Sequence, residues 1–297
     1  MPLAHAQTVQ ALDCLARCAG LMQDAWHEPR RFTRKGPIDL VSTMDLRLQE
    51  ELAAGLRPIA PGAALLGEEG ADPHALPPAG PCWVIDPIDG TTNFVHGLPM
   101  TCITAAFCED GVPVFGMTAC PMMNETWWAA RGQGAWLNGR PIHVSAVDSL
   151  ADGLVATGFP YDIRQTCPAI CARLSGVLVQ AQGVRRIGAA SLDLAYVAMG
   201  RLDAYYEGNL KPWDYMAGWL LCLEAGGTVS DDEGRPYQPS RVICASNGRL
   251  HAELLAAMHA GDRSSAPSSP QSEAESAPER RVQADGSAHA AVPAGRA

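Results

Sequence analysis

The sequence predicts a layered α/β protein with a mixed sheet, and three observations carry that prediction. MTCITAAF, VPVFGMTACP and TWWAARG are successive strand-like runs, broken at Glu109-Asp110-Gly111 and Met123-Asn124-Glu125, which is the punctuation of an antiparallel meander. Beyond residue 150 strands and helices alternate instead, a pattern that covers sheet faces with helices. With 297 residues, 47% hydrophobic and 18% charged, the chain has material for a large core.

The elements follow in order. Val9, Leu12, Ala16 and Ala19 keep helical spacing, so a first amphipathic helix ends near Trp26. A loop carrying Lys35-Gly36-Pro37 leads to DLVSTMDLRLQEELAAGL, where Ser42 or Thr43 is the N-cap of a second helix through Leu46, Gln49, Leu52 and Leu56. ALLGEEG reads as a short strand, Ala63 to Leu66, that stops at a glycine and delivers Glu68 and Glu69 into a loop. CWVID is the next strand, and Asn138-Gly139 marks a further turn. In the second half, GLVAT precedes a helix, VRRI precedes SLDLAYVAMG, LDAYYE precedes WDYMAGWLLCLEAGG, and RVICAS precedes a helix from Gly248 to about His259. From residue 261 the composition collapses to Ser, Ala, Pro, Glu, Gln and Arg. The expected organisation is therefore one folded domain over 1–260, in two tightly packed halves meeting near 150, and a disordered tail over 261–297.

Composition also removes function classes. A net charge of -10 argues against a general nucleic-acid binder, which would be basic. No apolar run approaches a membrane span, and MPLAHAQTVQ lacks the basic flank and apolar core of a secretory leader, so a cytoplasmic protein is expected. The 10 cysteines are scattered. Cys14/Cys18 and Cys167/Cys171 each share a helix face, but no Cys-x-x-Cys or His-x-x-x-His accompanies them, so reduced, partly buried thiols are expected rather than a zinc site.

The chemistry concentrates in WVIDPIDGTTNF, Trp83 to Phe94. Asp86 ends a strand and Asp89 follows past Pro87, so a turn lets both carboxylates and the Ile88 carbonyl face one point. Two readings fit these residues. Hard oxygen donors suit Mg²⁺, Mn²⁺ or Ca²⁺, and a cation would relieve the repulsion. Alternatively, an Asx-type turn places one aspartate as cap of the following helix. Glu68 leaves a strand abruptly and Asp214 stands where an apolar helix begins, as cap, ligand or both; Glu69 reads as a solvated acid or as part of the same cluster. Several strand-end and helix-start acids are what a two-metal phosphoryl-transfer site requires. Gly90-Thr91-Thr92 adds backbone N–H groups that an anion could approach closely.

WVIDPIDGTTNFVHGLP, with GEEG upstream and KPWDYMAGWLLCLEAGG downstream, closely resembles the inositol monophosphatase family of Mg²⁺-dependent, lithium-sensitive sugar phosphatases. Matching pieces run in order from about Lys35 to Asn247, and TGFPYD and VRRIGAASLDLAYVAMGRLDAYYE resemble its bacterial members. The resemblance implies an αβαβα sandwich of alternating helix and mixed-sheet layers. It implies that Glu68, Asp86 and the Ile88 carbonyl bind a first metal and that Asp86, Asp89 and Asp214 bind a second, with a third, weaker ion near Glu68. It further implies that Thr91, hydrogen-bonded towards Asp45, orients the attacking water, and that Lys35 sits on the loop near the metals. The Gly90 and Thr91 amides would hold phosphate oxygens. Asp89 would also meet the substrate, and Glu207, with the Ala190 backbone close by, would meet its alcohol half.

One departure concerns specificity: where the family often has a hydroxyl residue, this chain has Ala189. The activity implied is hydrolysis of a small polyol phosphate, nominally myo-inositol 1-phosphate, with two or three Mg²⁺ or Mn²⁺ per site. The rivals on the same scaffold are histidinol-phosphate, fructose 1,6-bisphosphate and NADP or 3′-phosphoadenosine phosphatases; the absence of long insertions disfavours the last. From a different class, some bacterial members bind the transcription machinery, so RNA polymerase or antitermination factors are expected partners of an alternative role. A homodimer is expected on the resemblance alone.

Overall fold

The computed structural model describes residues 3–239 and 241–264. The N-terminal half contributes α1 (His5–Asp24), β1 (Phe32–Arg34), β2 (Leu40–Ser42), α2 (Thr43–Leu56), β3 (Ala64–Gly67), β4 (Pro81–Asp89), α3 (Thr91–His96), β5 (Cys102–Glu109), β6 (Val112–Cys120), β7 (Glu125–Ala130), β8 (Ala135–Leu137) and β9 (Arg140–Ile142). The rest contributes β10 (Leu154–Thr157), α4 (Ile163–Leu178), β11 (Gly183–Arg185), α5 (Ala190–Ala198), β12 (Ala204–Glu207), α6 (Pro212–Glu224), β13 (Thr228–Asp231), β14 (Ile243–Ser246) and α7 (His251–Ser264).

Strands β3 to β9 form a seven-stranded sheet in sequence order, parallel only at β3–β4 and antiparallel from β4 onward. The meander expected from MTCITAAF, VPVFGMTACP and TWWAARG is its centre. A second, mixed sheet runs β11-β10-β12-β14-β13.

Alternation along the strands builds the layers. Trp83 and Ile85 of β4 point to one side, where Leu15 and Met22 of α1 and Leu48, Leu52 and Leu56 of α2 cover them. Cys82 and Val84 point to the other, against α5 and α6. Those two helices also meet Tyr205 and Ala245 of the second sheet. The outer face of that sheet, with Val155, Ala204, Tyr206 and Cys244, is covered by Val177 of α4 and Leu254, Ala257 and Met258 of α7. The order is helix, sheet, helix, sheet, helix, the αβαβα sandwich.

Three details differ from expectation. The loop at Lys35-Gly36-Pro37 is the turn of a β1–β2 hairpin, with Lys35 N donating to the Asp39 carbonyl at 3.0 Å. β13 follows the Gly226-Gly227 break that ends α6, a short run with no apolar alternation to announce it. The last helix begins at His251 and reaches Ser264, three residues past the point where the tail composition begins; the remaining tail residues lie outside the described residues. Among the described residues, no helix is long and apolar enough to cross a membrane.

Candidate active site

The site grows from the end of β4. β4 pairs with β5 as far as Asp86–Thr104, slips, and rejoins at Asp89–Cys102. Pro87 stands inside the slip; having no N–H to give the ladder, it belongs at an irregularity. Asp86 Oδ1 accepts from Ile88 N at 2.9 Å, so the local turn is an Asx turn as well as a presentation of carboxylates. Asp86 and Asp89 are 2% and 9% exposed.

Asp89 does not cap the helix that follows it. Gly90, at φ +85°, is the N-cap of α3 and offers no side chain. A Cβ on Gly90 would stand 3.2 Å from the Met100 and Gly188 carbonyls, so only glycine fits this turn. Asp89 instead reaches α5: its Oδ2 accepts from Ser191 N at 2.6 Å. Ala189, the N-cap residue of α5, has no side-chain cap, and the carboxylate from the other sheet takes that place.

Glu68 and Glu69 follow β3. Lys35 Nζ, on the β1–β2 turn, donates to Glu68 Oε1 at 2.8 Å and to Glu69 Oε1 at 2.7 Å. Gln49 of α2 pins the Glu69 backbone, accepting from its N–H at 2.9 Å and donating to its carbonyl at 2.8 Å. Glu69 is thus an anchored, nearly buried acid rather than a solvated one. Asp214 is the third helical residue of α6, not its N-cap; its Oδ2 accepts from Lys211 N at 2.7 Å, half of a capping box. Thr91 Oγ1 lies 3.1 Å from Asp45 Oδ1 and 3.0 Å from the Ile88 carbonyl. Asp45, fully buried, has its other oxygen held by Ser42 N at 2.7 Å and by the Ser42 hydroxyl.

Electrostatics fit these pieces to a cation. Burial first, then the charges of Glu68, Asp89 and Asp214, push the Asp86 carboxyl well above the carboxylate range. Burial and Asp89 do the same to Asp214. Burial raises Glu68 to about 7 against the pull of Lys35, and raises Asp45 to about 6 against the Ser42 bonds. Burial lowers Lys35, but Glu68 and Glu69 beside it reverse the sign and leave it raised. Acids from β3's end, β4 and α6 thus repel one another in a buried place, and their oxygens are hard donors of the kind Mg²⁺ or Mn²⁺ takes. Among the described residues, no three acid, histidine or cysteine side chains meet at one ready-made ligating point. Asp86, Asp89 and Asp214 each turn one oxygen to a backbone amide, and Glu68 turns one to Lys35.

Glu207, at the end of β12, is 9% exposed and accepts from Tyr205 Oη at 2.5 Å. Burial raises it to about 7, the Tyr205 bond opposing. It borders a cavity of about 210 Å³ with Gly158, Asp162, Thr166, Arg173 and Asn209. The Ala190 amide, expected on the alcohol side, points at Asp89 beside that of Ser191. Sequence reasoning missed three neighbours. Asp193, 1% exposed, lies in the field of Glu207 and Asp89 with Arg186 as countercharge. The Arg186 guanidinium stands 5.5 Å over the Phe159 ring. Tyr161, 59% exposed, lies in the field of Asp39, Glu68, Asp214 and Asp86. No local spacing announces them; the TGFPYD and VRRIG stretches that carry Tyr161 and Arg186 were the available signal.

Comparison with known proteins decides the family. The model of the inositol monophosphatase family matches residues 5–263. This chain belongs to the inositol monophosphatase family. It is 39% identical over 234 residues to an inositol-1-monophosphatase of Rhizobium meliloti, covering 78% of this chain and 86% of that protein. It is 43% identical over 225 residues to a Nus factor SuhB of Pseudomonas aeruginosa, covering 74% and 83%. Its fold matches the crystal structure of the extragenic suppressor protein SuhB from Bartonella henselae with a TM-score of 0.79 at 33% identity, over 85% of this chain and 98% of that one. As an inositol monophosphatase family member, the chain is a phosphoric monoester hydrolase acting on a small phosphate ester.

Proposed function

We propose that this family member is a Mg²⁺-dependent phosphomonoesterase of small polyol phosphates, with myo-inositol 1-phosphate as nominal substrate. The observation that carries this reading is the gathering of half-buried Glu68 and Asp214 with buried Asp86 and Asp89 beside the Thr91–Asp45 hydrogen bond. The name of the Rhizobium meliloti relative supports the substrate. Glu68, Asp86 and the Ile88 carbonyl would hold one cation, and Asp86, Asp89 and Asp214 a second; Mn²⁺ fits the same donors. When bound, such ions neutralise phosphate charge and make water more acidic.

The chain's own residues do the rest. The Thr91 hydroxyl has one hydrogen and two acceptors in reach, Asp45 and the Ile88 carbonyl. With its hydrogen on Asp45, it can accept a hydrogen bond from the attacking water and so aim the water oxygen at phosphorus. Asp45, fixed by Ser42, is the fully buried acceptor that keeps this hydroxyl oriented. The Gly90 and Thr91 amides, at the start of α3, receive phosphate oxygens. Glu207 accepts a hydroxyl hydrogen of the alcohol, and its bond from Tyr205 fixes which oxygen is offered. Lys35 neutralises Glu68 and Glu69 at the mouth.

The test is phosphate release from a panel of phosphomonoesters, histidinol phosphate and fructose 1,6-bisphosphate included, with Mg²⁺, with EDTA and with lithium. Turnover requires Mg²⁺, is inhibited by lithium, and falls by at least about a hundredfold in Asp89→Asn and Asp214→Asn. Full activity in EDTA, or normal turnover in either variant, overturns the reading.

The likeness to a protein named Nus factor SuhB favours a second role, binding of transcription machinery. Recovery of RNA polymerase by the inactive Asp89→Asn variant supports it, and failure of both wild type and variant to bind purified polymerase removes it.

A further inference from the structure

Asp89 has a neighbour that the reaction does not use. Cys102 is its direct partner across the β4–β5 pair, at the point where the register resumes after the slip. The Cys102 thiol is fully buried and stands 3.8 Å from Asp89 Oδ2, within hydrogen-bonding range for sulfur. The same oxygen takes the Ser191 amide at 2.6 Å. One residue earlier, Thr101 Oγ1 donates to the Asp89 carbonyl at 3.1 Å. Backbone and side chain of Asp89 are therefore held by β5 and by the N-terminus of α5, and both side-chain donors act on Oδ2. Neither the thiol nor the Ser191 amide uses Oδ1.

We propose that Cys102 is a positioning residue: its S–H donates to Asp89 Oδ2, and together with the Ser191 amide it fixes the carboxylate so that Oδ1 is presented to the divalent cation. This rests on the reading of Asp89 as a metal ligand. Hydrogen bonds from outside a ligand set orient its members and set their donor strength. A thiol is a weak donor. It therefore fixes direction without drawing as much charge from the carboxylate as a further amide would. Asp89 receives only one amide pair, from α5, because Ala189 leaves those N–H groups without a side-chain cap of their own. The cross-strand position makes the contact rigid, since Cys102 lies on β5, an interior strand of the large sheet, rather than on a loop.

The experiment is a Mn²⁺ titration of the full chain read by water-proton relaxation, with no substrate present. Cys102→Val fills the thiol's space without a donor, and Cys102→Ala removes donor and volume together. Both weaken Mn²⁺ binding by roughly tenfold, the low end for loss of an orienting bond to a ligand. Cys102→Ser, which keeps a donor, stays within about threefold of wild type. Cys120→Ala, which removes a neighbouring buried thiol bonded to the Pro99 carbonyl, leaves binding unchanged. In turnover assays the Cys102→Val loss appears as a higher Mn²⁺ requirement and is recovered at saturating metal. Wild-type affinity in Cys102→Val, or equal weakening in Cys120→Ala, overturns the proposal. Absence of saturable binding by the wild-type chain overturns the metal reading itself. Should Cys102→Ala fail to fold, the Val and Ser pair still decides.

Discussion

At the scale of single residues, protonation governs the site. Glu68, raised to about 7 by burial, carries a proton that a cation must displace, so metal affinity depends on pH. The Mg²⁺ concentration for half-maximal activity falls as pH rises through about 7, with proton release measurable by calorimetry in buffers of different ionisation heat. Thr91 tests the water-orienting bond. Thr91→Ala lowers kcat by roughly a hundredfold or more, whereas Thr91→Ser keeps the hydroxyl and most of the rate. A Thr91→Ala enzyme with wild-type kcat would remove the Thr91–Asp45 pair from the reaction. The acids of this site were legible from sequence because each stands at a strand end or helix start with little freedom over where it points. Glu69 and Cys102 were not. Their partners are Lys35, 34 residues earlier in the chain, and Asp89, 13 residues away across a strand pair. Nothing local encodes such pairings.

At the scale of elements, close approach replaces side-chain packing where α4 meets α7. A Cβ on Gly176 would stand 2.1 Å from the Ala257 carbonyl, and one on Gly261 1.9 Å from the Ala172 carbonyl. The helices therefore touch backbone to backbone through reciprocal small residues. Gly176→Leu forces them apart and costs about 1–3 kcal/mol, read as a drop of several degrees in Tm. Activity measured well below Tm survives, since neither glycine lines the acidic site. Helix starts were readable for the same reason that this contact was not. Ser42 caps α2 through its own local bonds, from Met44 N at 3.2 Å and Asp45 N at 3.4 Å. The Gly176–Ala257 contact joins elements 81 residues apart in the numbering.

At the scale of the whole molecule, the site is assembled against the interest of the fold. Acids raised in the folded state stabilise it only below their unfolded values near 4, and that contribution is lost as pH rises through their folded values. For Asp45, Glu68 and Glu207 the window runs from about 4 to about 7. In EDTA, Tm falls across that window; with saturating Mg²⁺ the part carried by Glu68 and its neighbours is restored, by differential scanning fluorimetry. A pH-independent Tm in EDTA would show that the acids are not held apart from solvent as described. The amino-acid sequence by itself determined the α/β alternation, the meander, and the set Glu68, Asp86, Asp89 and Asp214, because periodicity, caps and turn residues act over a few positions. Only the tertiary structure decided that Asp89 caps α5 rather than α3, that Lys35 bridges two glutamates, and that Cys102 stands behind the carboxylate. Those contacts are made across sheets and between layers, where burial and the shortage of countercharge, not local spacing, choose the partner.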